Sequence, residues 1–355
     1  DIASINLDGP KSEGEDTAFI MYTSGTTSNP KGCPLSHSNM MHATIAMMER
    51  WTISGKDVFW DPLPMFHMSS ILPFSACLMA KSEFISTVHF DPDQSIKVLE
   101  ESEVSIAFPA FPAVMLALVN HPDFSSSKLS KIRIINNVAP VDTLRSFQEA
   151  LPNAKLVSAY GLTEASGVCS YGSPDDPLEK RITTSGKPFK GVKIRIIHPE
   201  TGEEVPADEK GLIEISGPTV FKGYLNDPTK TKETLSSDGW LSTGDFGSLS
   251  EDGFISYHGR LKDMLKVGGE NVAALEIESF YNNHEGVMIS QVVGVDDERL
   301  GEVPALFIET KEGVTLTAEE LIESAKGKIS NFKIPRYVVF VDDWPMSSTK
   351  VQKFK

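Results

Sequence analysis

A run of small and hydroxyl-bearing residues near the start of the chain has the composition of a polyphosphate-binding loop. The run is Met21–Gly32, MYTSGTTSNPKG, in which seven of the first ten residues are Ser, Thr, Gly or Asn. Backbone N–H groups and hydroxyls that converge on one point bind phosphate without many buried charges. The same composition is also typical of a surface turn. It is not a Walker A loop, because Gly32 follows Lys31 where that motif needs Ser or Thr.

The segments on either side of this run predict the elements that position it. The apolar residues Ala18–Met21 predict a buried strand before the run, and Met40–Arg50 predicts a helix after it. Backbone N–H groups at the end of such a loop point towards a bound anion. The sequence therefore predicts a nucleotide enzyme whose loop binds triphosphate.

Four further stretches follow in chain order and, together with the first, carry a specific resemblance. They are YGLTE from Tyr160, GWLSTGD from Gly239, GRLKD from Gly259 with GENV from Gly269, and KVQK from Lys350. With TSGTTSNPKG from Thr23, they resemble the motifs of the adenylate-forming superfamily, which includes acyl-CoA synthetases, luciferases and the adenylation domains of peptide synthetases. The resemblance covers essentially the whole chain, and several ordered matches are far more specific than one.

This resemblance implies an ATP site in which the Glu164 carboxylate, a hard-oxygen ligand, binds Mg²⁺. Thr163 beside it would bond the α-phosphate, and Asp245 has two carboxylate oxygens for the two ribose hydroxyls. Arg260 would add a ribose or phosphate contact. The other nucleotide contacts that the resemblance implies are Thr23, Ser24, Gly25, Thr26, Thr27, Lys31, Ala139, Pro140, Tyr160 and Gly161. Without Tyr160-Gly161 before it, Glu164 would be interpreted as a solvated carboxylate after a strand. Taken singly, Asp245 is also typical of an Asx turn after Gly244.

The resemblance makes Lys350 the catalytic lysine, which reaches the carboxylate and the α-phosphate during adenylation and stabilises charge in the transition state. The segment Pro345–Lys350 is one residue shorter than the family pattern and has Thr349 where glycine is usual. Threonine does not readily adopt a positive φ, so we expect a different loop conformation here. By composition alone, a lysine in a tail with Lys353 and Lys355 is a solvated side chain.

A second set of residues is implied for transfer of the acyl group to the thiol of CoA. In the family the small C-terminal domain swings about a hinge at the position of Lys262 and brings a glycine-containing segment to the same site. The residues implied for this state are Lys266, Gly268, Gly269 and Asn271. Glycines allow the backbone to lie close to a pantetheine arm. Alternatively, the same glycines form a structural turn before a helix that starts at Val272. The two interpretations are compatible.

The acid is constrained by Pro64–Met68, PMFHM, which resembles the family's motif at the acyl pocket. Amino-acid-activating relatives have an Asp where His67 stands, so we expect an acid without an α-amine. His67 is then a catalytic-site residue that gates the channel between acyl and thiol sites, although a lone His is also typical of a structural role. We expect Phe111, Val138 and Ser166–Val168 to line the pocket. Asn137-Val138 stands where the family usually has small residues, and the bulky Val138 favours a short or medium acyl group.

Short apolar runs alternate with amphipathic helices up to about Gly161, which predicts an α/β fold with a doubly wound, mostly parallel sheet. The expected strands there are Val58–Trp60, Val104–Phe108, Ile132–Ile135 and Leu156–Ala159, and the expected helices are Ser95–Glu101, Val114–Asn120 and Val141–Ala150. A loop is expected over Asp175–Lys187. Strands at Lys193–Ile197, Gly211–Ser216 and Gly253–Tyr257 predict a β-rich subdomain.

The C-terminal part predicts a small α/β unit of its own. Its expected helices are Val272–Asn282 and Ala318–Ser330, and its expected strands are Val287–Val295 and Ala305–Glu309. The resulting division is residues 1–184 as part of a large AMP-binding domain, residues 185–261 as its β-rich subdomain, and residues 262–355 as a small mobile domain. The family has a substantial region before its phosphate loop, so the chain is expected to be truncated at its N-terminus.

The composition of the chain limits the kinds of molecule to which it is expected to bind. The chain of 355 residues has 33 Lys and Arg against 49 Asp and Glu, a net charge of −16, which argues against nonspecific nucleic-acid binding. Its three cysteines show no disulfide or metal spacing, which favours a reducing compartment, and we expect the cytoplasm. The longest nearly apolar run, Ala107–Val119, is too short to span a bilayer. The sequence leaves a homodimer open.

The function expected from these residues is two-step acyl-CoA synthesis. ATP and a small carboxylic acid form an acyl adenylate with release of pyrophosphate, and CoA then takes the acyl group. Two alternatives stay open within enzymes, namely transfer to a carrier-protein pantetheine and a luciferase-type adenylating oxidase. A third, from another class, is a nucleotide-binding module without turnover.

Overall fold

The computed structural model describes residues 11–23, 30–345, 351 and 353. The strands are β1 (Thr17–Thr23), β2 (Lys31–Ser36), β3 (Val58–Asp61), β4 (Glu83–Ser86), β5 (Ile106–Ala110), β6 (Ile134–Asn137), β7 (Lys155–Val157), β8 (Ala159–Tyr160), β9 (Ser170–Tyr171), β10 (Lys187–Pro188), β11 (Lys193–Ile197), β12 (Lys210–Ser216), β13 (Leu241–Leu249), β14 (Ile255–Arg260), β15 (Met264–Val267), β16 (Glu270–Ala273), β17 (Val287–Asp297), β18 (Gly301–Thr310) and β19 (Tyr337–Phe340).

The helices occupy the connections between these strands. They are α1 (His37–Trp51), α2 (Met68–Ala80), α3 (Pro92–Glu101), α4 (Pro112–Val119), α5 (Val141–Ala150), α6 (Leu178–Thr183), α7 (Pro228–Thr234), α8 (Ala274–Asn282) and α9 (Ala318–Ala325). Short 3₁₀ turns lie at Thr163–Ala165, Leu261–Asp263 and Asn331–Lys333. Among the described residues, no helix is long and apolar enough to cross a membrane.

A five-stranded parallel sheet, in the order β4-β3-β5-β6-β7, confirms the doubly wound expectation. Successive residues of a strand point to opposite faces, so a sheet covered on both faces has nearly continuous apolar strands. Phe59, Ile106, Phe108, Ile134 and Val157 lie in one core cluster with residues of α1 and α2. Trp60, Ala107, Ile135 and Leu156 lie in a second cluster with residues of α3, α4 and α5. Each strand therefore contributes to two cores.

A small antiparallel sheet in the order β10-β9-β8 and two larger antiparallel sheets follow in the sequence. The first of the larger sheets has the order β11-β12-β13-β14 and accounts for the predicted β-rich region. The second has the order β16-β15-β18-β17, with β19 added parallel to β18. The two larger sheets are joined by the 3₁₀ turn Leu261–Asp263, between the last residue of β14 and the first of β15. The domain boundaries expected from the sequence stay predictions.

The expectation of a buried strand at Ala18–Met21 is wrong in one respect. The strand forms as β1, but it pairs with β2 in a separate two-stranded sheet. Its side chains are therefore partly open, with Ile20 46% and Tyr22 63% exposed. Strand β2 was not expected, because its Gly32 and Pro34 have low β propensity and only the pairing with β1 compensates for them.

Three further expectations need correction. The region Asp175–Lys187 is not all loop, because it contains α6. Val272 is not the start of a helix but lies in β16, opposite Leu265, and α8 begins at Ala274. Helix α9 ends at Ala325 rather than Ser330, since Gly327 two residues later has a positive φ of 72°, a conformation that ends helices.

His258 on β14 should make the fold less stable in mild acid. Burial and then the positive charge of Lys210 lower its pKa from 6.5 to about 4. The unfolded chain takes up a proton at His258 below about pH 6.5, whereas the folded chain does not until about pH 4, so the free energy of unfolding falls as the pH drops through that window. We expect His258→Gln to flatten this part of the pH dependence, measured by urea unfolding at pH 7 and pH 5. An unchanged difference between the two pH values would contradict this.

Candidate active site

The two ends of the predicted phosphate loop are fixed next to each other. Thr23 at the end of β1 is the cross-strand partner of Lys31 at the start of β2. The loop therefore leaves and re-enters one hairpin, with Lys31 at its base. Ser24, Gly25, Thr26 and Thr27, which the sequence assigns to phosphate binding, lie outside the described residues.

Glu164 lies in the 3₁₀ turn after β8, and it meets the base of this hairpin through Tyr224. The Tyr224 hydroxyl donates to Glu164 Oε1 at 2.8 Å, and Lys31 Nζ lies 5.2 Å from the centroid of the Tyr224 ring. Backbone bonds hold the three segments together, from Phe221 N to Glu164 O and from Leu225 N to Gly32 O, both at 2.9 Å. The fold thus brings Lys31 and Glu164, which are far apart in the sequence, to the two sides of Tyr224.

Tyr224 was missed by the sequence reasoning, and its position follows from a buried polar contact. Asn39, in the first turn of α1, donates from Nδ2 to the carbonyl oxygens of Pro218 and Val220 at 2.8 and 3.1 Å. These bonds hold the segment that leads to Tyr224 against the start of α1. No local sequence signal links Tyr224 to Glu164, because the two residues are 60 positions apart.

The turn that presents Thr163 and Glu164 depends on Gly161. A Cβ at this position would lie 2.4 Å from Gly167 O and from Val168 Cα, both backbone atoms. No side chain fits there, so the YGLTE stretch can lie against residues 167–169 only with glycine in second place.

Asp245, on β13, is the centre of a second polar group. The buried Tyr160 hydroxyl donates to Asp245 Oδ2 at 2.9 Å, and Arg260 Nε lies 3.2 Å from Oδ1. Arg260 is the cross-strand partner of Asp245 on β14. The Tyr160 ring also stacks on Tyr257, with ring centroids 5.9 Å apart. Burial, and then the negative charge of Asp245, raise the pKa of Tyr160, so its hydroxyl stays protonated and can donate.

Two walls of the predicted acyl pocket are in contact. A Cβ at Gly167 would lie 2.8 Å from the Met68 side chain, so the Ser166–Val168 segment lies against the start of α2. His67 is the N-cap residue of α2, and its ring lies 4.7 Å from that of Phe66. Cys169 N donates to Tyr160 O at 3.0 Å, which connects this wall to the Asp245 group.

The other residues predicted to line the acyl pocket lie at the ends of β5 and β6. Val138 N donates to Ala110 O at 2.8 Å, so Phe111 and Val138 follow neighbouring strand ends, and Ala139 and Pro140 lead from there into α5. Val138 is 41% exposed. Asn137 is fully buried, and within the part of the chain described neither polar atom of its amide has a hydrogen-bond partner.

The residues assigned to the second half-reaction lie on a hairpin of the C-terminal sheet. Lys266 and Asn271 are cross-strand partners on β15 and β16, and Gly268 and Gly269 form the turn with φ values of 62° and 91°. Two successive positive φ angles are what a tight two-residue hairpin needs. The turn is therefore a hairpin tip, rather than a turn into a helix.

Cys33 lies close to Glu164 but is not a nucleophile candidate. Burial, and then the charge of Glu164, raise the pKa of Cys33 to about 12. The thiol is therefore neutral at physiological pH, and thiolate chemistry is not available there. Cys33, Cys77 and Cys169 are all buried free cysteines.

The donor set at Glu164 fits Mg²⁺ bound mainly by the nucleotide. Within residues 11–23 and 30–345, and at Val351 and Lys353, no three His, Cys, Asp or Glu side chains form a metal-binding group. Mg²⁺ keeps several waters and commonly uses one or two carboxylates with substrate phosphates. The single carboxylate of Glu164, beside Lys31 at one end of the predicted phosphate loop, is such a set.

Comparison with known proteins identifies the class to which this fold and site belong. Residues 4–225 match the family model of AMP-binding enzymes, and residues 276–351 match the AMP-binding enzyme C-terminal domain. The chain belongs to this family of AMP-binding enzymes.

The similar proteins show how much of their length the chain spans. It is 36% identical over 95% of its length to a putative acyl-CoA synthetase, YngI, of Bacillus subtilis, and 36% identical over 96% to a mitochondrial medium-chain acyl-CoA ligase, ACSF2, of Mus musculus. It spans 62% and 57% of those two relatives. The ATP-bound structure of MatB from Rhodopseudomonas palustris has a TM-score of 0.90 and 32% identity, over 98% of this chain and 69% of MatB.

Proposed function

We propose that the chain is the nucleotide-binding and C-terminal part of an AMP-forming acid–thiol ligase that converts a carboxylic acid, ATP and CoA to an acyl-CoA. The observation that carries this proposal is the pair of polar groups described above. One joins Lys31, Tyr224 and Glu164 at the base of the phosphate loop, and the other joins Asp245, Tyr160 and Arg260. The two groups lie at opposite ends of the YGLTE stretch, with Tyr160 at its start and Glu164 at its end. One is suited to the triphosphate and the other to the ribose of a single nucleotide.

In the first step a carboxylate oxygen attacks the α-phosphorus, the bond to the bridging oxygen breaks, and pyrophosphate leaves. Two anions approach each other, so the chain has to supply positive charge and hold the groups in line. Lys31 is suited to the departing pyrophosphate as a point charge. Lys350 acts at the reacting carboxylate. Mg²⁺ bound at Glu164 would neutralise phosphate charge.

In the second step the sulfur of CoA attacks the acyl carbon, and the bond between this carbon and the phosphate oxygen of AMP breaks. The thiol gives up its proton to a base, and AMP leaves. We propose that the unit after Lys262 rotates and brings the Lys266–Asn271 hairpin to the site for this step. Two features support this, namely the separate sheet to which the hairpin belongs and the short 3₁₀ turn that joins it to β14. The exposed Gly268 and Gly269 leave room for a pantetheine arm.

The acid proposed is a short or medium apolar acid without an α-amine. His67 at the start of α2 offers no carboxylate to an amine, and Phe111 and Val138 present apolar surface at the ends of β5 and β6. We also propose a reducing compartment, which the three buried free cysteines support.

Pyrophosphate release with a panel of carboxylic acids, with and without CoA, tests this function. We run it on this chain and on the longest polypeptide that its gene encodes. The proposal predicts acid-dependent release and a thioester that forms only when CoA is added. ATP binding without release for any acid would contradict it in favour of a binding module, and release without thioester would contradict the CoA step.

Glu164→Gln tests the proposed metal contact. Glutamine keeps the shape and can still accept from the Tyr224 hydroxyl, but it loses the charge that binds Mg²⁺. We expect the Mg²⁺ concentration for half-maximal pyrophosphate release to rise by about 10-fold, which corresponds to loss of about 1.4 kcal/mol of binding. Tyr224→Phe, which removes only the hydroxyl, is the matched control and should leave the Mg²⁺ dependence within about twofold. An unchanged Mg²⁺ dependence in Glu164→Gln would exclude this ligand.

A further inference from the structure

Glu278 on α8 is a buried carboxylate that the nucleotide site does not use. Its residue is 5% exposed, and its Oε1 accepts a hydrogen bond from Val292 N, on β17, at 2.8 Å. The same oxygen forms an ion pair with Lys353 Nζ. Lys353 Nζ also donates to Val292 O at 3.2 Å. The lysine is thus held by two acceptors, one on the helix and one on the strand behind it.

This ion pair differs in kind from the exposed ion pairs of the chain. Exposed lysine pairs contribute little because both ions remain solvated. A carboxylate as buried as that of Glu278 has lost this solvation, and a cation and hydrogen bonds within the protein have to replace it. The lysine that meets this need lies in the KVQK stretch, where composition alone predicts a solvated side chain.

The pair lies at the junction between the two larger antiparallel sheets. A cavity of about 190 Å³ is lined by Glu278 and Lys353 from the C-terminal side and by Tyr257, Arg260 and Asp263 from the other. Arg260 is the residue that pairs with Asp245. Burial lowers the pKa of Lys262, the charge of Asp263 opposes this, and the positive charges of Arg260 and Lys353 add smaller lowering effects. Lys353 is therefore within electrostatic range of the proposed hinge.

We propose that the Glu278–Lys353 ion pair positions the end of the chain so that Lys350 reaches the nucleotide during acyl-adenylate formation. The proposal rests on the proposed function, because the role of Lys350 belongs to it. Lys350 precedes Lys353 by three residues, and three residues of chain span at most about 11 Å. Lys353 and Arg260 line the same cavity, and Arg260 pairs with Asp245, the proposed ribose ligand. Fixing Lys353 there therefore limits the distance between Lys350 and this ribose-binding residue. Lys353 and Glu278 are positioning residues and do not contact substrate.

The test compares Lys353→Met with three variants in both half-reactions. Lys353→Arg keeps the pair, and Glu278→Gln/Lys353→Met removes both charges and so leaves no buried ion unpaired. Lys326→Met removes a lysine of the same unit that pairs with Glu323 on the surface. Adenylation is measured by acid-dependent ATP–pyrophosphate exchange, and thioester formation by CoA consumption from preformed acyl adenylate. Thermal unfolding is recorded for every variant.

We expect Lys353→Met to lower adenylation by about 10- to 100-fold, since small misplacements of a catalytic group have effects of this size. Thioester formation should stay within about twofold. Lys353→Arg and Lys326→Met should remain close to the parent in both. The double variant should regain the melting temperature lost by Lys353→Met but not the adenylation rate, because stability and positioning are separate consequences of the pair.

Three results would overturn the proposal. The first is adenylation by Lys353→Met within twofold of the parent. The second is an equal loss of both half-reactions that the double variant restores along with stability. The third comes from Lys350→Ala, measured in parallel. If it leaves adenylation intact, the proposed role of Lys350 fails, and the anchor fails with it. If it abolishes adenylation while Lys353→Met does not, only the anchor is wrong.

Discussion

Replacing Lys350 with alanine should lower the rate of acyl-adenylate formation by about 10²- to 10³-fold, the effect of removing one preorganised donor from a developing negative charge. Thioester formation from preformed acyl adenylate should change by less than about threefold, because in the proposed second step the Lys266–Asn271 hairpin, and not Lys350, is brought to the reacting groups. The measurement is ATP–pyrophosphate exchange beside CoA consumption in separate reactions.

Lys355→Ala is the matched control for this variant, since it removes a lysine from the same terminal segment. It should retain both half-reactions. An equal loss of both in Lys350→Ala would contradict the role given to this lysine, as would full retention of adenylation.

Replacing Asp245 with asparagine should weaken ATP binding by about 10- to 100-fold, because a hydrogen bond to a charged group contributes about 1.5–3 kcal/mol. Asparagine keeps an oxygen for the Tyr160 hydroxyl but loses the charge that faces Arg260 and one acceptor for a ribose hydroxyl. Binding is measured by calorimetry with ATP and with 2′,3′-dideoxy-ATP.

Measuring both nucleotides with both proteins gives a thermodynamic cycle, in which one change is Asp245→Asn and the other is removal of the ribose hydroxyls. The cycle isolates the free energy of the contact between them. The parent should prefer ATP over the dideoxy analogue by a similar factor, and Asp245→Asn should bind the two almost equally. If the variant retained the full preference for ATP, the ribose contact would lie elsewhere. A fall in melting temperature alone, with unchanged nucleotide preference, would make Asp245 a structural partner of Arg260 and contradict the proposal.

The parallel sheet was predictable because its strands are short apolar runs that carry large residues on both faces. Phe59 and Trp60 belong to different cores, and so do Ile134 and Ile135, and such continuous apolar runs are typical of strands covered on both sides. Helix α5 was predicted with its observed bounds, since Leu144 and Phe147 recur at helical spacing and are buried.

Other elements depend on contacts that periodicity does not encode. Strand β2 contains Gly32 and Pro34 and forms only because β1 pairs with it. Strand β16 includes Val272, whose neighbours suit a helix equally well, and the pairing with Leu265 decides between the two. Local propensity is a weak guide wherever tertiary pairing determines the outcome.

The candidate site also contains residues that the sequence identified and residues that only the structure identified. Glu164, Asp245 and Arg260 were identified from motif order, and the structure describes them with defined partners. Tyr224 and Tyr257 were not identified, because their importance lies in contacts across 60 and 97 positions, with Glu164 and Tyr160. Lys350 lies outside the described residues, so its role stays a prediction from the sequence.

Acid-dependent exchange of labelled pyrophosphate into ATP, in the absence of CoA, tests the central claim most directly. A reversible acyl-adenylate step predicts exchange that requires both a carboxylic acid and Mg²⁺, and that Lys350→Ala lowers by about 10²- to 10³-fold. In a parallel reaction, added CoA should convert the acyl adenylate to AMP and thioester. Exchange that no acid in the panel supports, in a protein that still binds ATP, would contradict the claim that this site activates carboxylic acids.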